Sequence, residues 1–317
     1  MTYNEQFNPI TIIGAGVIGT SWAALFLANG YEVRINDISE TLEYDVKNGI
    51  KNIESTLKDL GYDTTDLYEK LIIEKDQYQA VKGAKIIQEN GPENVEFKQN
   101  LYQNLEEYAD EETIFLTSSS SIPASIISEK MHNPERMCVG HPFNPPHLIP
   151  LVEIVPGKAT SKSTLIKAKE FYESLGKSPI ILKKEINGFV ANRLQAAIFQ
   201  ECVHLVLEGV VNPKDLDTVV DRSIGLRWAA DGPFLSFHLG GGNGGFEHFM
   251  QHLGKNMPEL WKDLGHPELN EENINKLIDV VNLDYGDTSI KILEEKRDHK
   301  QLKIIKDLIS RGEDFND

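Results

Sequence analysis

Two groups of residues have the types and spacing that chemistry requires. Gly14, Gly16 and Gly19 form G-x-G-x-x-G between an apolar run, Ile10 to Ile13, and a helical stretch that begins at Val17 and Ile18. In that context the first glycine allows a tight turn, the second lets the backbone approach a pyrophosphate, and the third lets helix and strand pack closely. The helix N-terminus then faces the phosphates. Asp37 ends the next apolar run, where a carboxylate accepts hydrogen bonds from an adenosine ribose and repels a 2′-phosphate. No arginine follows it in D-I-S-E-T-L-E-Y-D, so NAD rather than NADP is the expected cofactor. A purely structural glycine turn is the alternative, and the strand, helix and Asp37 in register argue against it.

The second group is His141 and Glu153. Glu153 sits in the middle of the apolar strand L-V-E-I-V, and His141 lies across a proline-rich turn, P-F-N-P-P, on a neighbouring strand. A carboxylate pointing inward needs a partner, because unpaired burial costs several kcal/mol. A His–Glu pair orients the imidazole, stabilises its protonated form and makes it a better base near neutral pH. A buried pair that only ties two strands together, or a Glu153 facing solvent, would leave the same pattern, and these residues alone leave the readings open.

The elements that must position these groups alternate strand and helix: Ile10 to Ile13, a helix to Asn29, Glu32 to Ile38, a polar helix to about Lys58, Ala84 to Glu89, Pro92 to Tyr108, and Thr113 to Ser118. That order predicts a doubly wound α/β sheet of Rossmann type. A helix from Ser163 to Leu175 and a strand from Ser178 to Leu182 close this domain at residue 186. From 187 to 317 the apolar positions recur at helical spacing, which predicts a mainly α-helical second domain. G-G-G-N-G-G at Gly240 to Gly245 is expected to be a flexible loop, and the charged tail after Glu294 a solvated terminal helix.

With 32 Lys and Arg against 49 Asp and Glu, the net charge of -17 disfavours nucleic acid and anionic membrane surfaces as partners. Cys138 and Cys202 have neither disulfide nor metal spacing and are read as buried thiols in a reducing compartment. No apolar run approaches a membrane span, and no signal peptide is evident, so a cytoplasmic protein is expected. His248 and His252 lie four apart on a helix without a third ligand, and no metal is expected.

G-A-G-V-I-G, H-P-F-N-P-P with P-L-V-E-I-V-P-G, N-G-F-V-A-N-R-L at Asn187 to Leu194, and G-L-R-W with G-P-F together resemble the 3-hydroxyacyl-CoA dehydrogenase family. The likeness runs over nearly the whole chain and is nearest to the carnitine dehydrogenase and lambda-crystallin/L-gulonate dehydrogenase branches. It implies a catalytic His141–Glu153 dyad, with Ser120 and Asn192 at the substrate oxygen. It also implies NAD contacts from Glu93 and Lys98, and makes residues 187–317 a substrate and dimerisation domain that pairs with its copy in a homodimer. Serines replace the Asn and Thr of the family's S-N-T-S-S pattern, which leaves the choice among Ser118 to Ser121 open.

For the substrate, the acidic balance between Ser39 and Lys82 argues against CoA, although Lys47 or Lys51 could overturn this. Phe143, Trp228, Phe234, Phe237 and Phe246 fall near the predicted site segments, and aromatic faces attract a quaternary ammonium. Any single one of them is more often a core or interface residue. Phe143, Trp228 and Phe234 are taken as substrate contacts. The expected reaction is oxidation of a small L-3-hydroxy acid, first L-carnitine to 3-dehydrocarnitine, with L-gulonate and 3-hydroxybutyryl-CoA as alternatives. A crystallin-like structural protein is the non-enzymatic alternative.

Overall fold

The computed structural model describes residues 5–311. They form two compact units, the first comprising residues up to Asn192 together with Gln301–Lys306, the second Arg193–Lys300 and the residues that follow Lys306.

The first unit is built on eight strands: β1 (Ile10–Ile13), β2 (Val33–Asn36), β3 (Leu71–Ile73), β4 (Ile86–Glu89), β5 (Ile114–Thr117), β6 (Met137–Pro142), β7 (Leu151–Pro156) and β8 (Ser178–Ile181). Their order across the sheet is β3-β2-β1-β4-β5-β6-β7-β8. Every pairing is parallel except β6 with β7. The central strands β1, β4, β5 and β6 are buried along their whole length, which is why they read as mainly apolar runs rather than alternating ones, with the polar residues Gln88, Glu89 and His141 buried among them. The order of strands reverses between β1 and β4, and ligands in such sheets bind outside the carboxyl ends of the strands at that point.

Helices α1 (Val17–Ala28), α2 (Leu42–Asp59), α3 (Gln77–Val81), α4 (Val95–Glu106), α5 (Ala124–Ile127) and α6 (Lys162–Ser174) cover the sheet. Successive strand residues join different apolar clusters, as the pleat requires. Ile12, Ile86, Leu116, Cys138 and Ile154 pack with Trp22, Phe26 and Phe171, whereas Ile13, Ile87, Phe115, Val139 and Val155 pack with Leu101, Tyr102 and Ile127. The short β3 and the five-residue α3 went unpredicted, because three residues carry no detectable period.

Lys177, at the turn between α6 and β8, is a buried lysine that pairs with no carboxylate among the described residues. Its ammonium donates to the carbonyls of Pro146 and Ile149 in the turn after β6, and lies 5.7 Å from the Trp22 ring. Burial pushes its pKa down from 10.5 to about 7. Between those values the unfolded chain binds a proton that the folded chain lacks, so this lysine makes stability rise with pH from about 7 to 10.5. Below that window its burial is a penalty of several kcal/mol. Lys177→Met is therefore expected to flatten the rise; thermal melts at pH 7 and pH 9 with the same slope in both proteins would contradict it.

The second unit holds most of α7 (Ala191–Leu207), then α8 (Pro213–Arg222), α9 (Ile224–Gly240), α10 (Gly245–His252), α11 (Met257–Asp263), α12 (Glu271–Tyr285) and the greater part of α13 (Ile290–Arg311). Helix α8 packs on α9 and α12, and α9 on α10. Helix α9 breaks at Gly232 (φ 67), ahead of Pro233, whose ring excludes helical backbone in the residue before it. Phe237 stacks on Phe249 with centroids 4.7 Å apart, and Phe246 joins them.

Three expectations need correction. The glycine run is a tight 3-10 turn, Gly242–Gly244, between α9 and α10 rather than a loose loop, with little room for a side chain at Gly241 or Gly244. The terminal helix is not wholly solvated: Leu302 and Ile305 are buried against Leu148 and Leu60 of the first unit. Cys138 is buried as expected, but Cys202 is only partly so, because α7 leaves much of its surface open. No helix among the described residues is long and apolar enough to cross a membrane, and none of them forms a three-residue metal cluster.

Candidate active site

The glycine turn follows β1 at the switch point. Gly14 has φ 90, and a Cβ on it would strike the backbone of Asn90 and Gly91 after β4. A Cβ on Gly19 would overlap the Gly14 carbonyl oxygen, so the third glycine is demanded by close packing of α1 on the turn. Gly16 is different: nothing lies within 4 Å of the position its Cβ would take, which leaves open approach at the start of α1. The free amides there, including those of Val17 and Ile18, form the positive end of a helix with no side-chain cap. Asp37, one residue past β2, accepts from Ala15 N (2.7 Å) and Ser39 N (3.0 Å), which holds its carboxylate at the lip of the turn.

Beyond β4 and β5 a second turn is assembled around one carboxylate. Glu93 Oε1 accepts from Ser119 Oγ (2.7 Å), Ser120 N (3.1 Å), Ser121 N (2.9 Å) and Ser121 Oγ (2.9 Å). Burial pushes its pKa up, but those donors and nearby Lys98 outweigh it and hold the carboxyl below its usual range. Lys98 is itself buried. Its ammonium lies 2.7 and 2.8 Å from the two oxygens of Glu89 and 3.8 Å from Glu93. Nothing in the local pattern marks Glu89 as its partner, because a carboxylate at the end of an apolar strand reads as a solvated edge.

His141 and Glu153 are directly opposite one another in the antiparallel register of β6 and β7. Both side chains therefore leave the sheet on one face, and Nδ1 lies 2.9 Å from Glu153 Oε2. The other oxygen, Oε1, accepts from Val190 N (2.9 Å) and Ala191 N (3.0 Å) at the start of α7. Burial raises the Glu153 pKa, yet the hydrogen bonds from His141, Ala191 and Val190 together win, and the carboxyl stays below its usual value. An ionised carboxylate can only accept, so Nδ1 donates to it, and in the neutral form of the imidazole this pairing leaves the lone pair on Nε2. Asn192 follows these amides and donates to Ser120 O at 3.3 Å. Two hydrogen-bonded groups thus meet in consecutive residues at the start of α7: His141, Glu153 and the amides of Val190 and Ala191 form one, and Asn192, Ser120 and Glu93 the other.

Phe143 lies edge-on to His141 with centroids 4.9 Å apart. Trp228 and Phe234 belong to the second unit, on either side of the α9 break, with Phe234 76% exposed and 6.0 Å from Phe246. Sequence reasoning missed Glu89, Phe189 and the amides of Val190 and Ala191. Only the positive φ tolerated at Gly188 hinted at a turn there.

Family models match this chain in succession: the NAD binding domain of 3-hydroxyacyl-CoA dehydrogenase over residues 9–186, and the C-terminal domain of the same family over residues 188–273. The chain belongs to the 3-hydroxyacyl-CoA dehydrogenase family. It is 38% identical over 296 residues to an L-carnitine dehydrogenase of Oceanobacillus iheyensis, covering 93% of this chain and 96% of that one. It is 40% identical over 309 residues to a 3-hydroxyacyl-CoA dehydrogenase of Gibberella moniliformis, covering 95% of each. A solved structure titled as 5-formyl-3-hydroxy-2-methylpyridine 4-carboxylic acid 5-dehydrogenase, an NAD+ dependent dismutase, superposes with TM-score 0.79 at 26% identity, over 97% of this chain and 99% of that one.

The protein is accordingly an NAD-dependent oxidoreductase, and its residues fit the cofactor. The open space at Gly16, the uncapped start of α1 and the carboxylate of Asp37 would hold the pyrophosphate and the adenosine ribose in that order. Asp37→Ala is expected to weaken NAD binding by ~10- to 100-fold, because it removes a charge-assisted ribose contact and loosens the turn. Calorimetric titration with NAD reads this directly, and an unchanged affinity would remove Asp37 from the site.

Proposed function

We propose that this enzyme oxidises the 3-hydroxyl of a small L-3-hydroxy acid, with L-carnitine, giving 3-dehydrocarnitine, as its first substrate. The observation that carries the reaction is the His141–Glu153 pair, fixed by strand register with Nδ1 on the carboxylate and Nε2 turned away from it. NAD bound at the glycine turn supplies the hydride acceptor. His141 Nε2 takes the hydroxyl proton as the carbon loses hydride, and the Glu153 carboxylate stabilises the resulting imidazolium. The Ser120 hydroxyl, exposed on its turn, and the Asn192 amide hydrogen-bond the oxygen that becomes the ketone, favouring the charge that gathers there.

Carnitine is supported by relatives named L-carnitine dehydrogenase that align over nearly the full chain, among them that of Oceanobacillus iheyensis. The aromatic face of Phe143, beside the His141 imidazole, suits a quaternary ammonium. Lys47, a candidate for a CoA phosphate, is engaged with Glu43 at 2.5 Å. The Gibberella relative, named for 3-hydroxyacyl-CoA, favours the second reading. Steady-state rates with NAD on L-carnitine, L-3-hydroxybutyryl-CoA and L-gulonate decide between them: the first reading expects kcat/KM for carnitine at least ~100-fold above the others, a gap of about 2.7 kcal/mol. No turnover of carnitine rejects it.

The same reading makes the active form a homodimer in the cytoplasm, where free thiols such as Cys138 stay reduced. Among the described residues of the second unit, Val203, Leu216 and Phe249 are the buried large apolar side chains, while Leu194, Phe199, Leu226 and Leu283 are all more than half exposed. So much uncovered apolar surface is what a subunit interface needs. Light scattering is expected to give twice the chain mass of 35.7 kDa, and a monomer at working concentration contradicts the dimer.

A further inference from the structure

Phe189 combines two features that a core residue and a turn residue do not share. Its ring is fully buried, in the cluster that contains Ile13, Ile122, Val139 and Val155. Its backbone is left-handed, with φ 50, and among the described residues it is the single non-glycine with positive φ. A turn alone is better served there by glycine or asparagine, which adopt this conformation at little cost. A bulky residue in the same conformation is strained, and such strain persists where the surroundings hold it.

Both features lead to the catalytic pair. The Phe189 ring lies 5.4 Å from the His141 imidazole, centroid to centroid, and Phe143 lies 4.9 Å from the same imidazole. With Gly188 (φ 71) and Phe189 both left-handed, the next two amides, of Val190 and Ala191, converge on Glu153 Oε1. One residue therefore touches the base with its ring and, through the turn it makes, orients the carboxylate that the base leans on.

We propose that Phe189 is a positioning residue: its ring keeps the His141 imidazole aimed with Nδ1 on Glu153, and its left-handed backbone holds the two amides that fix that carboxylate. Its contribution to turnover rests on the hydroxy-acid oxidation proposed above, whereas its contribution to imidazole order does not.

Two variants separate the parts. Phe189→Leu removes the ring and keeps bulk and backbone strain; Phe189→Gly removes the ring and relaxes the strain. Each is expected to lower kcat by ~10- to 100-fold, as small misplacements of a reacting group do. The KM for substrate and the affinity for NAD should stay within about 2-fold, because the Phe189 side chain is fully buried and offers no surface to either. The second measurement needs no substrate: the nitrogen NMR spectrum of His141, assigned by its loss in His141→Gln protein. In the unaltered protein it should report one tautomer, with the proton on Nδ1; in the variants it should report an average of both. Two exchanging tautomers in the unaltered protein would overturn the proposal without any variant. So would a folded Phe189→Leu protein with unchanged kcat and unchanged imidazole signals. A clean single tautomer that the variants lose, in a protein that turns over none of the three acids, would uphold Phe189 and reject the substrate reading alone.

Discussion

His141→Gln is expected to reduce kcat by ~10³- to 10⁴-fold while changing the affinity for NAD by less than about 2-fold. Glutamine fills much of the same space but has no nitrogen lone pair able to take the hydroxyl proton, so the general base is removed. The fold should survive the change. Glu153 keeps its bonds from Val190 and Ala191, so the buried carboxylate is not orphaned when the imidazole goes. The glycine turn and Asp37 lie on β1 and β2, on the other side of β4 and β5 from β6, and should bind NAD as before. Absorbance of NADH under saturating cofactor measures the rate, and turnover within tenfold of the unaltered enzyme would eliminate His141 as the base.

The second large effect is expected from Glu153→Gln, with kcat falling by ~10²- to 10³-fold. The reason lies in how the two carboxylate oxygens are used. One accepts from two backbone amides and the other from His141 Nδ1. A glutamine here must keep its oxygen on the two amides, which turns its NH2 toward the imidazole. Nδ1 is then forced to accept, the ring proton moves to Nε2, and the atom that should take the substrate proton already holds one. The loss of negative charge also removes the stabilisation of the imidazolium. The KM for substrate is expected to change far less than kcat, and a variant that loses affinity but keeps kcat would contradict the argument.

Glu153→Gln carries a pH signature as well. The folded protein holds this carboxyl below its ordinary value of 4.5, so its ionisation contributes stability that is complete above 4.5. That contribution is lost as pH falls through the lower folded value. Relative to the Glu153→Gln variant, the unaltered protein should therefore lose stability on acidification below about pH 4.5. Equal acid sensitivity in the two proteins would show that the carboxylate is not stabilised as described.

How much of this was legible beforehand depended on the range over which each feature acts. The glycine turn is local: Gly14, Gly16 and Gly19 are needed for reasons confined to one strand, one turn and one helix, and Asp37 follows a single crossover. The alternation of strands and helices was likewise readable, because strands buried on both faces are predominantly apolar. His141 and Glu153 were readable as two groups needing a partner. Their being that partner for each other rests on the antiparallel register of β6 and β7, which a twelve-residue separation around a proline turn allows but does not compel.

Other features had no local sign. Lys98 is expected beside the cofactor by resemblance alone, and nothing local shows that α4 packs so that its ammonium meets Glu89 at the end of β4. The expectation of a solvated terminal helix failed because two apolar residues among many charges, Leu302 and Ile305, find Leu148 and Leu60 only after the chain returns to the first unit. Phe189 looks like one more apolar residue until its backbone and its neighbours are known.

By itself the sequence determined the cofactor, the class of fold and the two groups proposed to move and steady a proton. Turn geometry, strand burial and side-chain chemistry are short-range and leave their mark on consecutive residues. Only the tertiary structure decided which oxygen of Glu153 serves His141 and which serves α7, that one Glu93 oxygen organises the serine turn, and that Ser120 and Asn192 meet. Those are contacts between segments far apart in the chain, set by register and packing rather than by any residue's own preference.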